Sequence, residues 1–143
     1  MIRRTIKKAA VSIALIASIA SPLSAQDLAD EIIGYMDFAT YDAGIILPEQ
    51  LTEDIWDALY FVDTRDAAQF NAGSIPGAVH IEWREIPARL DELPADKKVV
   101  LYCNTGTLSA QATFAARLMG HENVVVLQSG FDGWQANAAY QPE

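Results

Sequence analysis

Three short stretches of this chain, Leu59 to Val62, Val99 to Tyr102 and Val124 to Leu127, are apolar or aromatic at every position. Each has the length of a strand, and a strand without a polar face must be covered on both sides, as strands of a parallel sheet are. Around them the apolar spacing lengthens to that of helices. Ile86, Leu90 and Leu93 form one such series, and Leu108, Ala112, Ala115 and Met119 form another that Gly120 closes. Upstream, Leu28, Ile32, Ile33 and Met36 predict a helix, and Leu51, Ile55 and Trp56 predict a second that opens at Pro48, a residue suited to a first helical turn. Gly44 to Leu47 and Ala78 to Ile81 are weaker strand candidates. The alternation predicts an α/β domain with a central parallel five-stranded sheet and helices on both faces.

Length and charge narrow the possibilities further. A chain of 143 residues, 51% hydrophobic and 20% charged, has the composition of one domain with a buried core. Its formal net charge is -9, yet Arg3, Arg4, Lys7 and Lys8 all lie in the first 25 residues, which contain no acid. The remainder therefore has 6 basic against 19 acidic side chains, a charge of -13. Such a surface repels nucleic acid and anionic lipid.

Residues 1–25 read as a signal peptide: four cations, a run of 12 residues from Ala9 to Ala20 built of Ala, Val, Ile, Leu and Ser, then small residues ending at Ala25. Spanning a bilayer takes about 20 apolar residues, so no stable membrane anchor is expected. The general secretory route fits better than the twin-arginine route, and the expected location is the periplasm. Residues 26–42 are expected to form an N-terminal helical extension, with the main domain over 43–143.

In open α/β sheets ligands bind at the carboxyl ends of strands. There the Val99 to Tyr102 run meets the chain's single cysteine, in Cys103-Asn104-Thr105-Gly106-Thr107-Leu108-Ser109, which leads into a helix. Backbone N–H groups and the positive end of the helix dipole converge at that point and favour a thiolate and an adjacent anion. Gly106 lets the loop curl. The competing role is that of a buried structural thiol. One cysteine permits neither an internal disulfide nor a multi-cysteine metal site, and His80 and His121 lack metal-ligand spacing.

Four segments together resemble the rhodanese homology family. They are Leu59-Tyr60-Phe61-Val62-Asp63-Thr64-Arg65, Asn71 to Ile81 with Ser74 where His is usual, Tyr102-Cys103-Asn104-Thr105-Gly106, and Ser129-Gly130-Phe131-Asp132-Gly133-Trp134. The resemblance implies a single rhodanese-like domain and a sulfurtransferase in which Cys103 carries sulfane sulfur as a persulfide. It implies a small anionic donor such as thiosulfate, a thiol or cyanide as acceptor, possible transfer to a protein acceptor, and no cofactor. Cys103 is then the catalytic residue. Asn104, Thr105, Gly106, Thr107, Leu108, Ser109 and Arg65 are the substrate-binding candidates. Arg65 has a competing role as the ion-pair partner of a carboxylate such as Asp63, and Trp134 is expected to serve packing.

Thr107 and Leu108 stand where many family members carry Arg or Lys, so this loop has no charge. The alternative is a catalytically weak sulfur-carrier or binding module of the same fold. A cysteine phosphatase would want Arg six residues after the cysteine, and Ser109 stands there. A dithiol oxidoreductase would need a second cysteine.

Overall fold

A computed structural model describes residues 24–142. The three apolar runs become β2 (Leu59–Asp63), β4 (Lys98–Tyr102) and β5 (Val124–Leu127). Two-residue strands β1 (Ile45–Ile46) and β3 (Val79–His80) complete a sheet of five parallel strands in the order β1-β5-β4-β2-β3. The long pairing of β2 with β4 sets Leu59 opposite Lys98 and Asp63 opposite Tyr102, so both strands end level with each other.

Alternation along the strands divides the core in two. Phe61, Val100, Tyr102, Val125 and Leu127 pack on one face with Leu51, Ile75 and Trp134. Val62, Val99, Leu101 and Val124 pack on the other with Ile81, Ile86, Leu90, Leu93, Ala112 and Ala116. Because both faces are covered, β2, β4 and β5 need no polar side, which explains their continuous apolar runs.

Among the described residues, four α-helices flank the sheet: α1 (Ala25–Phe38), α2 (Ala67–Ala72), α3 (Thr107–Leu118) and α4 (Gly130–Asn137). Helix α1 opens with a reciprocal cap, Ser24 Oγ accepting from the Asp27 N–H and Asp27 Oδ2 accepting from the Ser24 N–H. It rides on α3, where Tyr35 meets the Phe114 ring edge-on at 5.4 Å and its hydroxyl accepts from Arg117 Nε at 3.0 Å. No α1 residue is buried, and Ile33, Met36 and Phe38 face outward. The signal peptide expected over residues 1–25 lies outside the described residues, apart from Ser24 and Ala25. Among the described residues no helix is long and apolar enough to cross a membrane.

Two expected helices take a tighter form. The series Leu51, Ile55, Trp56 lies beside the 3-10 segments Pro48–Gln50 and Glu53–Ala58, and Ile86, Leu90 and Leu93 lie along the 3-10 turns Ile86–Ala88 and Leu90–Glu92. Pro94, directly after Leu93, disfavours helical backbone at Leu93 and stops a helix from continuing there. On α3 the buried side is Ser109, Ala112, Thr113 and Ala116, so the expected stripe through Leu108 and Met119 is shifted, and both of those residues are exposed.

Candidate active site

Tyr102 ends β4 fully buried, and Cys103 follows it at the rim of the core, 5% exposed. The chain then turns through Asn104, Thr105 and Gly106 into α3. Gly106 occupies the helix N-cap with φ +91°, and a Cβ there would sit 3.2 Å from the Leu127 carbonyl oxygen, so glycine satisfies both the backbone and the space.

Loop shape depends on a second helix. The first N–H groups of α4 reach across to it, Phe131 donating to the Cys103 carbonyl at 2.8 Å and Asp132 to the Asn104 carbonyl at 3.0 Å. Helix-start donors that would otherwise lack partners thus hold the loop's carbonyls away from the thiol. Close approach requires Gly130: a Cβ on it would lie 2.3 Å from the Cys103 carbonyl oxygen. Ser129 and Gly130 both have positive φ, which produces the sharp entry into α4.

With the carbonyls turned outward, N–H groups face the sulfur. Burial alone would push the Cys103 thiol up. The backbone N–H and hydroxyl of Ser109, with the N–H groups of Leu108 and Thr105, outweigh it and hold the thiol below its ordinary pKa. Ser109 Oγ is 3.6 Å from Cys103 Sγ and 3.1 Å from the Gly106 carbonyl oxygen. Its single proton serves one of them at a time, and a negative sulfur draws it over.

Arg65 lies beside the loop, and the structure shows it in the ion-pair role. Its Nε and Nη2 grip the two oxygens of Asp63 at 2.9 and 2.6 Å, Nη2 also donates to the Gly73 carbonyl at 2.6 Å, and its backbone N–H donates to Asp63 Oδ1. The guanidinium carbon is 4.3 Å from the Phe131 ring centroid, and Nη1 faces Asn104 Oδ1 at 3.4 Å. This cation therefore ties the end of β2 to the cysteine loop and to α4. It reaches the cleft wall with its charge already matched by a fully buried carboxylate.

The thiol opens onto a cleft of ≈ 380 Å³ lined by Thr64, Arg65, Asp66, Gln69, Glu82, Trp83, Arg84, Cys103, Asn104, Thr105, Thr107 and Leu108. Six of the eight sequence candidates share it, in Cys103, Asn104, Thr105, Thr107, Leu108 and Arg65. Gly106 and Ser109 lie behind, shaping the loop and facing the sulfur. Leu108 is 40% exposed on the cleft wall. Trp134 is buried core, stacked at 5.7 Å on Phe131, and His80 braces the Arg65 carbonyl through Nε2 at 2.7 Å. Glu82, Trp83 and Arg84 were not anticipated. They follow β3, and the rule that strand ends converge on the site, applied to the weaker strand candidate Ala78 to Ile81, is the signal that points to them. Among the described residues no group of His, Cys, Asp and Glu is arranged to hold a metal ion.

Comparison with known proteins bears on what such a loop is for. The family model described as Rhodanese-like domain matches residues 47–137. This chain belongs to the rhodanese-like domain family. A sulfurtransferase of Allochromatium vinosum is 36% identical to it over 83 residues, covering 58% of this chain and 74% of that protein. Thiosulfate sulfurtransferase GlpE of Pseudomonas savastanoi is 31% identical over 91 residues, covering 64% of this chain and 86% of that protein. Among solved structures, a rhodanese-related protein of Thermoplasma volcanium superposes with a TM-score of 0.58 at 26% identity, covering 64% of this chain and 89% of that one. At family level this rhodanese-like domain is sulfurtransferase-like, and the thiol loop, the Asp63–Arg65 clamp and the α4 start all lie inside the matched region.

Proposed function

We propose that the protein transfers sulfane sulfur through a persulfide on Cys103. The carrying observation is the thiol itself, set over the N-terminus of α3 with the N–H groups of Thr105, Leu108 and Ser109 directed at it and an open cleft in front. The Cys103 thiolate attacks the outer sulfur of a donor such as thiosulfate, a new S–S bond forms, and the donor's S–S bond breaks with its electron pair leaving on sulfite. The persulfide keeps one negative charge, which the same preorganised N–H groups stabilise without rearranging. Cyanide in an assay, or a thiol of a small molecule or protein, then attacks the terminal sulfur and restores the thiolate. The chemistry asks for no cofactor.

Thiocyanate release from thiosulfate and cyanide tests this reading. Wild type is expected to turn over and Cys103→Ser to be inactive while folded, since a serine hydroxyl is not ionised at neutral pH. Wild-type turnover by the serine variant refutes the reading. A second reading, a slow sulfur carrier, draws on the absence of charge from the loop. It predicts stoichiometric sulfur uptake with little turnover.

The proposed place of action is the periplasm, supported by the four cations and short apolar run at the N-terminus. A mature chain starting near Gln26 in the periplasmic fraction is the expected result, and full-length cytoplasmic protein would contradict it.

A further inference from the structure

The cleft wall facing Cys103 has two cations, and their circumstances differ. Arg65 has 6% of its side chain exposed and is occupied by Asp63, Gly73 and Asn104. Arg84 has 72% exposed. It is presented by the tight turn after β3, where the Trp83 N–H donates to the Thr64 carbonyl at 3.1 Å and the Glu85 N–H closes onto the Glu82 carbonyl at 2.8 Å. Its Nε donates to both oxygens of Glu82 at 3.1 Å, and its backbone N–H donates to the same carboxylate. Among the described residues its two Nη groups make no hydrogen bond, and the guanidinium carbon stands 6.0 Å from the Trp83 ring centroid.

An anion entering this cleft meets Asp66 and Glu82 as well as Arg84. The loop contributes dipoles only, and Arg65 is neutralised behind it. We propose that Arg84 is the donor-recognition residue of the cleft, its free Nη edge binding the oxyanion head of a thiosulfate- or thiosulfonate-type donor while Glu82 holds the arm and competes for its charge. The proposal rests on the sulfur-transfer reading and adds to it the residue that selects the donor: Arg84 holds the donor's oxygens while its outer sulfur points at Cys103. Planar two-point donation to oxyanions is what a guanidinium does and an ammonium does not.

Glu82 gives the inference an unusual sign. Glu82→Gln keeps an oxygen acceptor for the Arg84 backbone N–H but removes the competing charge, so it is expected to improve use of an anionic donor. Arg84→Gln is expected to impair it.

Two readouts separate this inference from the reading beneath it. The first is alkylation of Cys103 by anionic iodoacetate relative to neutral iodoacetamide, which needs no sulfur transfer and cancels changes in thiol reactivity. One unit charge at the cleft wall, mostly in solvent, is expected to change that ratio about three- to tenfold, down for Arg84→Gln and up for Glu82→Gln. The second is thiosulfate kinetics, where Arg84→Gln is expected to raise KM about tenfold with kcat little changed, and Arg84→Lys to recover only part of the loss. An alkylation ratio unmoved in both variants overturns the role of Arg84, whatever the sulfur chemistry proves to be. If wild type takes no sulfur from any donor, the sulfur-transfer reading falls and the alkylation ratio alone decides whether Arg84 recruits anions to the thiol.

Discussion

Gly130→Ala tests the claim that α4 shapes the cysteine loop. At φ +56° an alanine has a left-handed backbone costing about 1–2 kcal/mol. Its Cβ would also meet the Cys103 carbonyl oxygen at 2.3 Å and the Asn104 carbonyl oxygen at 2.6 Å. Those are backbone atoms on a loop pinned at both ends, so α4 and the loop must separate, at a cost of about 1–3 kcal/mol for overpacking. Weakening the hydrogen bonds from Phe131 and Asp132 adds about 0.5–1.5 kcal/mol each. The expected total is about 3–8 kcal/mol.

Gly77→Ala supplies the control. Gly77 also has positive φ, at +81°, but nothing lies within 4 Å of where its Cβ would be, so it incurs the backbone cost alone. Urea unfolding at 25 °C measures both variants, and the pH midpoint of Cys103 alkylation reports the loop. Gly130→Ala is expected to lose about 2–6 kcal/mol more than Gly77→Ala and to shift the alkylation midpoint upward, because displaced N–H groups no longer stabilise the thiolate. Equal losses in the two variants with an unchanged midpoint would refute the argument that α4 braces the loop.

Other outcomes follow from the same geometry. Leu108→Arg places a cation in the uncharged loop at a residue 40% exposed on the cleft wall. It should raise thiosulfate kcat/KM about tenfold, the lower end of what a charge-assisted hydrogen bond contributes, since the site is partly solvated. A cation in the first turn of α3 opposes the helix dipole, so thermal stability should fall only slightly, by about 0.3–1 kcal/mol; a large loss with no kinetic gain would show Leu108 packing against the domain. Because the Cys103 pKa is lowered, the thiolate persists at lower pH than for an ordinary thiol, and iodoacetamide alkylation should reach half its plateau at a lower pH than it does for a free, solvated cysteine measured alongside. Ser109→Ala removes one donor to the sulfur and should move that midpoint up, and an unchanged midpoint would remove the hydroxyl from the account.

The central strands were legible because burial on two faces leaves no choice of residue: Val99, Val100 and Leu101 alternate between the two cores and all must be apolar. Helix periodicity was less secure. Spacings of three and four residues suit successive 3-10 turns as well as an α-helix, and this is how Ile86, Leu90 and Leu93 are all buried without one. On α3, hydrophobicity pointed to Leu108, whereas the buried position is polar Ser109, placed there by its contact with the sulfur and the Gly106 carbonyl. Polar residues assigned inward by function are what an apolar stripe overlooks. The cysteine loop was readable from a lone thiol at a strand end, while the bracing by α4 depends on two carbonyl contacts, each between residues 28 apart in sequence, which spacing alone does not reveal. For Arg65 the sequence left two roles open; the distances to Asp63 show the ion pair, while the residue also lines the cleft.

Sulfur transfer through Cys103 is tested most directly by the intact mass of the protein after incubation with thiosulfate and removal of excess donor. One added sulfur, about 32 Da, is expected on wild type, absent from Cys103→Ser and removed by cyanide or a small thiol. Folded wild-type protein that gains no mass from thiosulfate or from any other sulfane-sulfur donor would contradict the account.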